Sequence, residues 1–524
     1  MDQKQAGKGP ALEVELKFQI DAAAARKLRA APWLKALQAT RATSQALNAV
    51  YFDTPEQDLR NRAIAFRVRK EGRQFIQCVK TAGTFARKEW ETPVSGFLPN
   101  PDPVRTDPEL SGHIGADLLD RLQPAFETRI RRSSRLLRLD SGAEIAFDMD
   151  DGEIVSGDST VPVHELELEL KAGTPEDLFA LARRITDYVP ARLGARSKAE
   201  RGYALSSGEP ALWEKAKAPE FDAETSAEEA LARTILASLR QLSANEDCVL
   251  NRSHIEGVHQ MRVAIRRLRA TLAIYRGLVP MEQHIAITER VKPIISALGP
   301  ARDLDVFLAE ILGPVQDYMA EEPSLALLRG AAEAARDRAY ADAQAMIRAP
   351  EYTDTLLMIG DWVMRKGWRD QSLSPDGVLL FSNARVLAAA LLDKRDRKLK
   401  KAGKRIRKMT SHERHELRLG VKKARYAADF FQTLYDQKVA RAYCQRLSAV
   451  QDSLGLLNDV AVAHGLLDGL CDAAPVTDRE SLRLASGLVL GWHTRILKDH
   501  EKDAFEAWDR YAKAQPYWVA GARD

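Results

Sequence analysis

The run HELELELK carries Glu165, Glu167 and Glu169 at alternate positions, and ALEVELKF repeats the spacing with Glu13, Glu15 and Lys17. Alternate residues share one face of a strand. Each run therefore sets carboxylates side by side, where directly opposed like charges repel by about 0.2–1 kcal/mol per pair. One wet sheet face is the ordinary reading of any single such strand. A chain that gathers several carboxylates has something cationic for them to hold. With no His or Cys among them, oxygen donors suit a hard divalent ion, Mg²⁺ or Mn²⁺. The same parity makes four further sets co-facial: Arg67 with Arg69, Arg87 with Glu89 and Glu91, Arg129 with Arg131, and Asp148 with Asp150. Lys80 stands opposite Val79 in FIQCVK. Arginine grips phosphate oxygens two at a time and lysine offers a point charge, so these strands suit a polyphosphate. No GxxxxGK[ST] loop supplies another phosphate site.

These side chains need strands that alternate apolar with charged, and the chain has them up to about residue 205. ALEVELKF, AIAFRVRKEG, FIQCVKTAG, RKEWETPV, ETRIRRSSRLLRL, EIAFDMDDGEI and VHELELELKAG predict seven or eight antiparallel strands. Closed into an eight-stranded barrel with the charges inside, they would line a tunnel and turn apolar faces outward against helices. Helical interruptions are predicted near 21–38, 109–123 and 175–188, and Asp53 in YFDTP reads as a turn residue. The pattern fades over 206–222, a linker, and 223–520 carries the three-four spacing of an all-helical domain. A chain of 524 residues is long enough for both. The predicted class is α+β, a barrel with flanking helices followed by an all-α domain.

The helical part repeats itself. VHQMRVAIRRLRATLAIYR resembles RHELRLGVKKARYAADFFQ at an offset of 156 residues. The offset pairs His259 with His415, Arg262 with Arg418, Arg266 with Lys422, Arg267 with Lys423 and Arg269 with Arg425. It holds on to Asp303 and Asp459, predicting two duplicated bundles that each present a basic stripe. Between Lys394 and Arg425 fifteen Lys and Arg face three acidic residues, although the net charge is only +4. Such a block calls for a polyanion. It lacks interleaved aromatics until Tyr426 and carries no DNA-reading motif, which argues against nucleic acid. No apolar run of membrane-spanning length and no signal-peptide core appear, so no membrane association is expected. Four scattered cysteines, Cys78, Cys248, Cys444 and Cys471, fit reduced thiols in a cytoplasm.

ExExK at Glu13, Glu15 and Lys17, YFDTP, FRVR, VKTAG, RKEWE, ELELELK and SKAERGY follow one another in an order that resembles the CYTH superfamily, the triphosphate tunnel metalloenzymes. The helical part resembles the CHAD domain, and the pairing of the two is similar to bacterial inorganic triphosphatases. The resemblance implies hydrolysis of inorganic triphosphate with one or two Mg²⁺ or Mn²⁺ ions. Glu13, Glu15, Asp148 and carboxylates among Glu165, Glu167 and Glu169 would hold metal, with Asp148 alternatively orienting the attacking water. Lys17, Arg67, Arg69, Lys80, Arg87, Arg129, Arg131 and Lys198 would grip phosphates. The CHAD stripes, His259 to Arg269 and His415 to Arg425, would bind polyphosphate, with an association with polyphosphate granules as one consequence. Thiamine or nucleoside triphosphates, cyclase chemistry in the same tunnel, and a non-enzymatic polyphosphate scaffold stand as alternatives. The absence of an evident Ser/His or Cys/His pair agrees with attack by water rather than by a covalent nucleophile.

Overall fold

The computed structural model describes residues 14–81, 88–208, 213–370 and 375–519. Glu13 and Arg87 lie outside them. Contacts group the chain into two compact units: Met1–Leu212 with Arg348–Arg365, and Trp213–Ile347 with Lys366–Asp524.

The first unit is built on nine strands: β1 Glu15–Ile20, β2 Thr43–Asp53, β3 Ile64–Glu71, β4 Gln74–Thr81, β5 Lys88–Val94, β6 Gln123–Arg138, β7 Glu144–Ser156, β8 Ser159–Ala172 and β9 Ala191–Leu193. They form one antiparallel sheet in the order β5-β4-β3-β2-β6-β7-β8-β1-β9. The expected eight-stranded closed barrel is corrected to this open sheet. No ladder joins β5 to β9 among the described residues. The reason is visible at β1, whose free edge is taken over Phe18–Ile20 by the three-residue strand β9.

The sheet's apolar face is covered by helices, as period-two strands with one apolar face require. One cluster sets Phe18, Phe147, Met149, Leu166 and Leu168 against α1 Ala22–Ala30, α2 Pro32–Ala36 and α7 Pro175–Tyr188. A second sets Phe52, Phe66, Val68 and Val79 against α3 Asp58–Asn61, α4 Asp102–Thr106, α5 Pro108–His113 and α6 Ala116–Leu119. At the end of β2, the Asp53 carboxylate accepts from the backbone N–H groups of Thr54, Leu59 and Arg60, fixing the turn into α3. The opposite, charged face is capped at one end by α8 Lys198–Ser206. There Tyr203 joins Tyr51, Phe126, Ile130 and Val163 in a third apolar cluster.

The second unit is helical: α9 Ala227–Ala244, α10 Glu246–Leu250, α11 Glu256–Ile274, α12 Met281–Val306, a π-helical turn Phe307–Leu312, α13 Gly313–Tyr318 and α14 Pro323–Arg348, then α16 Ala384–Gly403, α17 Ser411–Phe431, α18 Gln437–Ala473 and α19 Arg479–Ala512. Between the two sets comes α15 Pro350–Met364, which belongs to the first unit and packs on α7. There Thr353 Oγ1 donates to the Ala191 carbonyl at 3.0 Å. Helices α16, α17, α18 and α19 begin 157, 155, 156 and 156 residues after α9, α11, α12 and α14. No described helix is long and apolar enough to cross a membrane.

Candidate functional site

Strand register gathers the charged residues. Asp148 stands opposite Glu167 and Asp150 opposite Glu165 between β7 and β8, while Lys17 and Glu15 of β1 stand opposite Glu167 and Glu169. Asp150, Glu165 and Glu167 each offer a carboxylate oxygen within 4.8 Å of the others. Asp150 and Glu165 are buried. Among the described residues this is the one group of His, Cys, Asp or Glu able to hold a metal ion, and its oxygen-only donors fit Mg²⁺ or Mn²⁺.

Four cations balance the carboxylates. Arg132 grips Asp150 with two bonds of 2.7 Å and reaches Glu167 at 2.6 Å and Asp148 at 3.2 Å. Lys198 Nζ lies 2.8 Å from Asp150 and 3.4 Å from Glu167, and also donates to Glu165. Arg201 donates to Glu165 at 2.8 Å. Lys17 sits 2.9 Å from Glu15 and 3.5 Å from Glu167.

Helix α8 holds two of these cations in place. Ser197 caps its first turn and Glu200 returns the bond, a capping box. Gly202 lies on the Phe126 ring, where an added Cβ would come within 2.1 Å. Tyr203 meets the same ring edge-on at 5.1 Å.

Burial pushes the carboxylates up, and the cations decide the net effect. For Asp150, burial is outweighed by Arg132 and Lys198, and the carboxyl titrates below its ordinary range. For Glu167, burial is outweighed by Lys198, Lys17 and Arg132 in the same way. Asp148 goes the other way: burial, with Glu167 and Asp150 adding to it, prevails over Ser134 and Arg132 and raises its pKa. Lys198 loses to burial but gains more from Glu165, Glu167 and Asp150, so it stays firmly charged.

Away from the carboxylates, the same face turns basic. Arg67 and Arg69 of β3 face it, opposite Tyr51 and Ala49 of β2, and Lys80 of β4 pairs with Ala65 on that face. Arg67 donates to the Tyr51 hydroxyl at 3.2 Å, and Arg69 pairs with Glu71 and with Glu91 at 3.4 Å. The Nε atoms of Arg67 and Arg69 are buried without an acceptor, which suits a bound anion.

Glu169 shares the face but pairs with Lys171 at 2.5 Å, outside the three-carboxylate group. Arg129 and Arg131 do not join the site. The β6–β7 register pairs Arg132 with Asp150 and Arg131 with Asp151, so Arg129 and Arg131 point to the opposite face, exposed. Arg129 spends its charge there on Glu127 at 3.1 Å and Glu153 at 3.5 Å. Sequence parity missed Arg132, which stands where they were expected, and also missed Arg201.

In the helical unit, α11 carries His259, Arg262, Arg266, Arg267 and Arg269, while α17 carries His415, Arg418, Lys422, Lys423 and Arg425. His259 is half-buried and its pKa falls to about 4 through burial and the charges of Arg302, Arg266 and Arg262. Arg262 titrates below the usual range through burial, with Arg266 and Arg302 adding to it against Asp303, 3.6 Å away. The Arg266 Nε is buried without an acceptor. Arg267 turns toward Asp429, and Arg425 donates to Gln451 at 2.9 Å. His415, Lys423 and Arg269 are exposed. Arg302, a neighbour of Asp303 in LGPARDLD, escaped the sequence reading, and the Asp459 side chain lies outside the described residues.

Residues 11–203 match the CYTH domain and residues 233–468 the CHAD domain. The chain carries a CYTH domain followed by a CHAD domain. The chain is 31% identical over 169 residues to the inorganic triphosphatase of Haemophilus influenzae, an alignment covering 31% of this chain and 46% of that protein. An uncharacterised protein of Mycobacterium tuberculosis is 28% identical over 344 residues, 61% of this chain and 62% of its own length. The chain thus spans about half to three fifths of these curated relatives. The crystal structure of the CHAD domain from the plant Ricinus communis superposes with a TM-score of 0.50 at 28% identity, covering 58% of this chain and 98% of that one.

Proposed function

We propose that the CYTH domain hydrolyses inorganic triphosphate with the help of Mg²⁺ or Mn²⁺, and that the CHAD domain binds polyphosphate. The observation that carries the first part is the group of buried Asp150 and Glu165 with half-buried Glu167 on the same sheet face as Arg67, Arg69 and Lys80. The name of the Haemophilus influenzae relative supports inorganic triphosphate as the substrate.

Asp150, Glu165 and Glu167 would hold the ion, with Glu15 and Asp148 at hand beside them. A bound divalent ion supplies charge neutralisation on the transferring phosphoryl group. The chain's own residues do the rest. Arg67, Arg69 and Lys80 bind and align the phosphates from the basic side, and Lys17, Arg132 and Lys198 do so from the acidic side. Asp148, where burial prevails over Ser134 and Arg132 and leaves the carboxyl above its ordinary pKa, takes the proton from the attacking water. Product pyrophosphate and phosphate then leave the basic strands.

For the CHAD domain, the matching helix starts support a duplicated unit. The depressed pKa values of His259 and Arg262 mark a place where an anion would relieve crowded positive charge.

Phosphate release from tripolyphosphate, ATP and thiamine triphosphate, each in Mg²⁺ and in Mn²⁺, tests the substrate. Turnover is expected to be highest with tripolyphosphate. Equal or faster turnover of ATP or thiamine triphosphate would move the assignment to that compound.

A further inference from the structure

The three carboxylates that would take a metal ion already hold a cation. Lys198 Nζ touches all of them: it is 2.8 Å from Asp150, 3.4 Å from Glu167 and bonded to Glu165. The surrounding charges are matched without any metal. Arg132 covers Asp150 and Glu167, Arg201 covers Glu165, and Lys17 covers Glu167. Adding a divalent ion to a balanced, half-desolvated cluster puts two like charges beside an ammonium only a few ångströms away, where repulsion is strong.

We propose that Lys198 is a resident counter-ion that occupies the metal's place, so that metal and triphosphate load together. Metal alone must displace the ammonium from its three carboxylates. A bound triphosphate gives the displaced ammonium a new anion, and the two ligands then favour each other. Helix α8 suits such a move. Lys198 is its first residue, held by the Ser197–Glu200 capping box, while the helix body is anchored further on by Gly202 and Tyr203 against Phe126. The ammonium sits at the end of a flexible four-carbon stem, so it can swing off the carboxylates while the helix stays seated, and the first turn then loses those three contacts. Lys198 is thus a positioning residue that sets when the ion binds, in addition to any contact it makes with phosphate.

The proposal rests on the metal site proposed above, and the test separates the two. Mn²⁺ binding is measured by electron paramagnetic resonance on the full-length protein without triphosphate, for wild type, Lys198→Met, Lys198→Gln and Lys198→Arg, with Glu167→Gln as the site control. Removing the charge should tighten Mn²⁺ binding at least about tenfold in Lys198→Met and Lys198→Gln, whereas Lys198→Arg stays near wild type. Mn²⁺ affinity in wild type should rise when the slowly hydrolysed imidotriphosphate is present, and this rise should be markedly smaller in Lys198→Met, where only the direct attraction of ion and phosphate remains. Should the neutral variants not fold, hydrogen exchange on the wild type decides. Saturating Mn²⁺ should speed exchange in the first turn of α8. Unchanged or weaker Mn²⁺ binding in the neutral variants, or unchanged exchange in α8, overturns the counter-ion role. Binding that ignores Glu167→Gln, or no Mn²⁺ binding at all, overturns the metal site itself and the counter-ion role with it.

Discussion

The two domains handle charge in opposite ways. On the CYTH face, Arg132 and Lys17 on strands and Lys198 and Arg201 on helix α8 are each matched to carboxylates whose places the strand register sets. On the CHAD helices, His259, Arg262, Arg266 and Arg302 crowd together with Asp303 as a partial answer, and both His259 and Arg262 are pushed toward their neutral forms. Matched, buried charge makes a site that selects a small ion and a short anion by geometry. Crowded like charge makes a surface that attracts any long polyanion by field and loses it to salt. Catalysis fits the first arrangement and binding the second.

Breaking the matched side should cost most. Glu165→Gln with Glu167→Gln removes two of the three candidate metal carboxylates, and tripolyphosphate turnover should fall at least about a hundredfold. Polyphosphate binding, followed by filter retention, should persist in the same variant. Next, Gly202→Ala forces α8 off Phe126 and carries Lys198 with it. A loss of about 1–3 kcal/mol in denaturant unfolding of the first unit is expected, together with slower turnover.

Neutralising Arg262, Arg266, Arg418 and Lys422 together should weaken long-chain polyphosphate binding at least about tenfold and flatten its salt dependence, with triphosphate turnover kept. An unaltered salt slope would leave these residues as a wetted surface.

Two pH effects are smaller and run in opposite directions. The folded pKa of His259, about 4, lies below the ordinary 6.5, so the folded state binds fewer protons there. Stability should therefore decline as pH falls from 6.5 toward 4, and His259→Gln should lessen that decline in thermal melts. Asp148 is raised above its ordinary 3.8, so its charge opposes folding near neutral pH. Asp148→Asn should then raise the melting temperature of the metal-free protein slightly while it slows turnover. A fall in melting temperature would mean that the Ser134 and Arg132 bonds outweigh burial.

Most of the charged face was legible because strand parity is a strict rule. Glu15, Lys17, Arg67, Arg69, Lys80, Asp148 and the 165–169 glutamates all share one face in the observed register. The rule failed on β6 for a physical reason. Ile130 is buried on the charged face beneath α8, whereas Leu137, of opposite parity, is buried on the other face in the cluster that holds α1 and α2. The covered face changes along that one strand, so its apolar residues give no single phase. Counting back from Leu137 would have placed Arg132 inward and Arg131 outward. Closure was misjudged because a three-residue strand such as β9 leaves no periodic trace. Helix α15 carries the spacing of its helical neighbours, and nothing in that spacing says that Leu357 belongs to the core around α7.

The central claim is that the CYTH face splits inorganic triphosphate only with a divalent ion seated among its carboxylates. The direct measurement is tripolyphosphate turnover by EDTA-treated, dialysed protein, before and after Mg²⁺ or Mn²⁺ is returned. Turnover should be absent before and restored after, with no restoration in the Glu165→Gln, Glu167→Gln variant. Steady phosphate release by the metal-stripped protein would contradict the account.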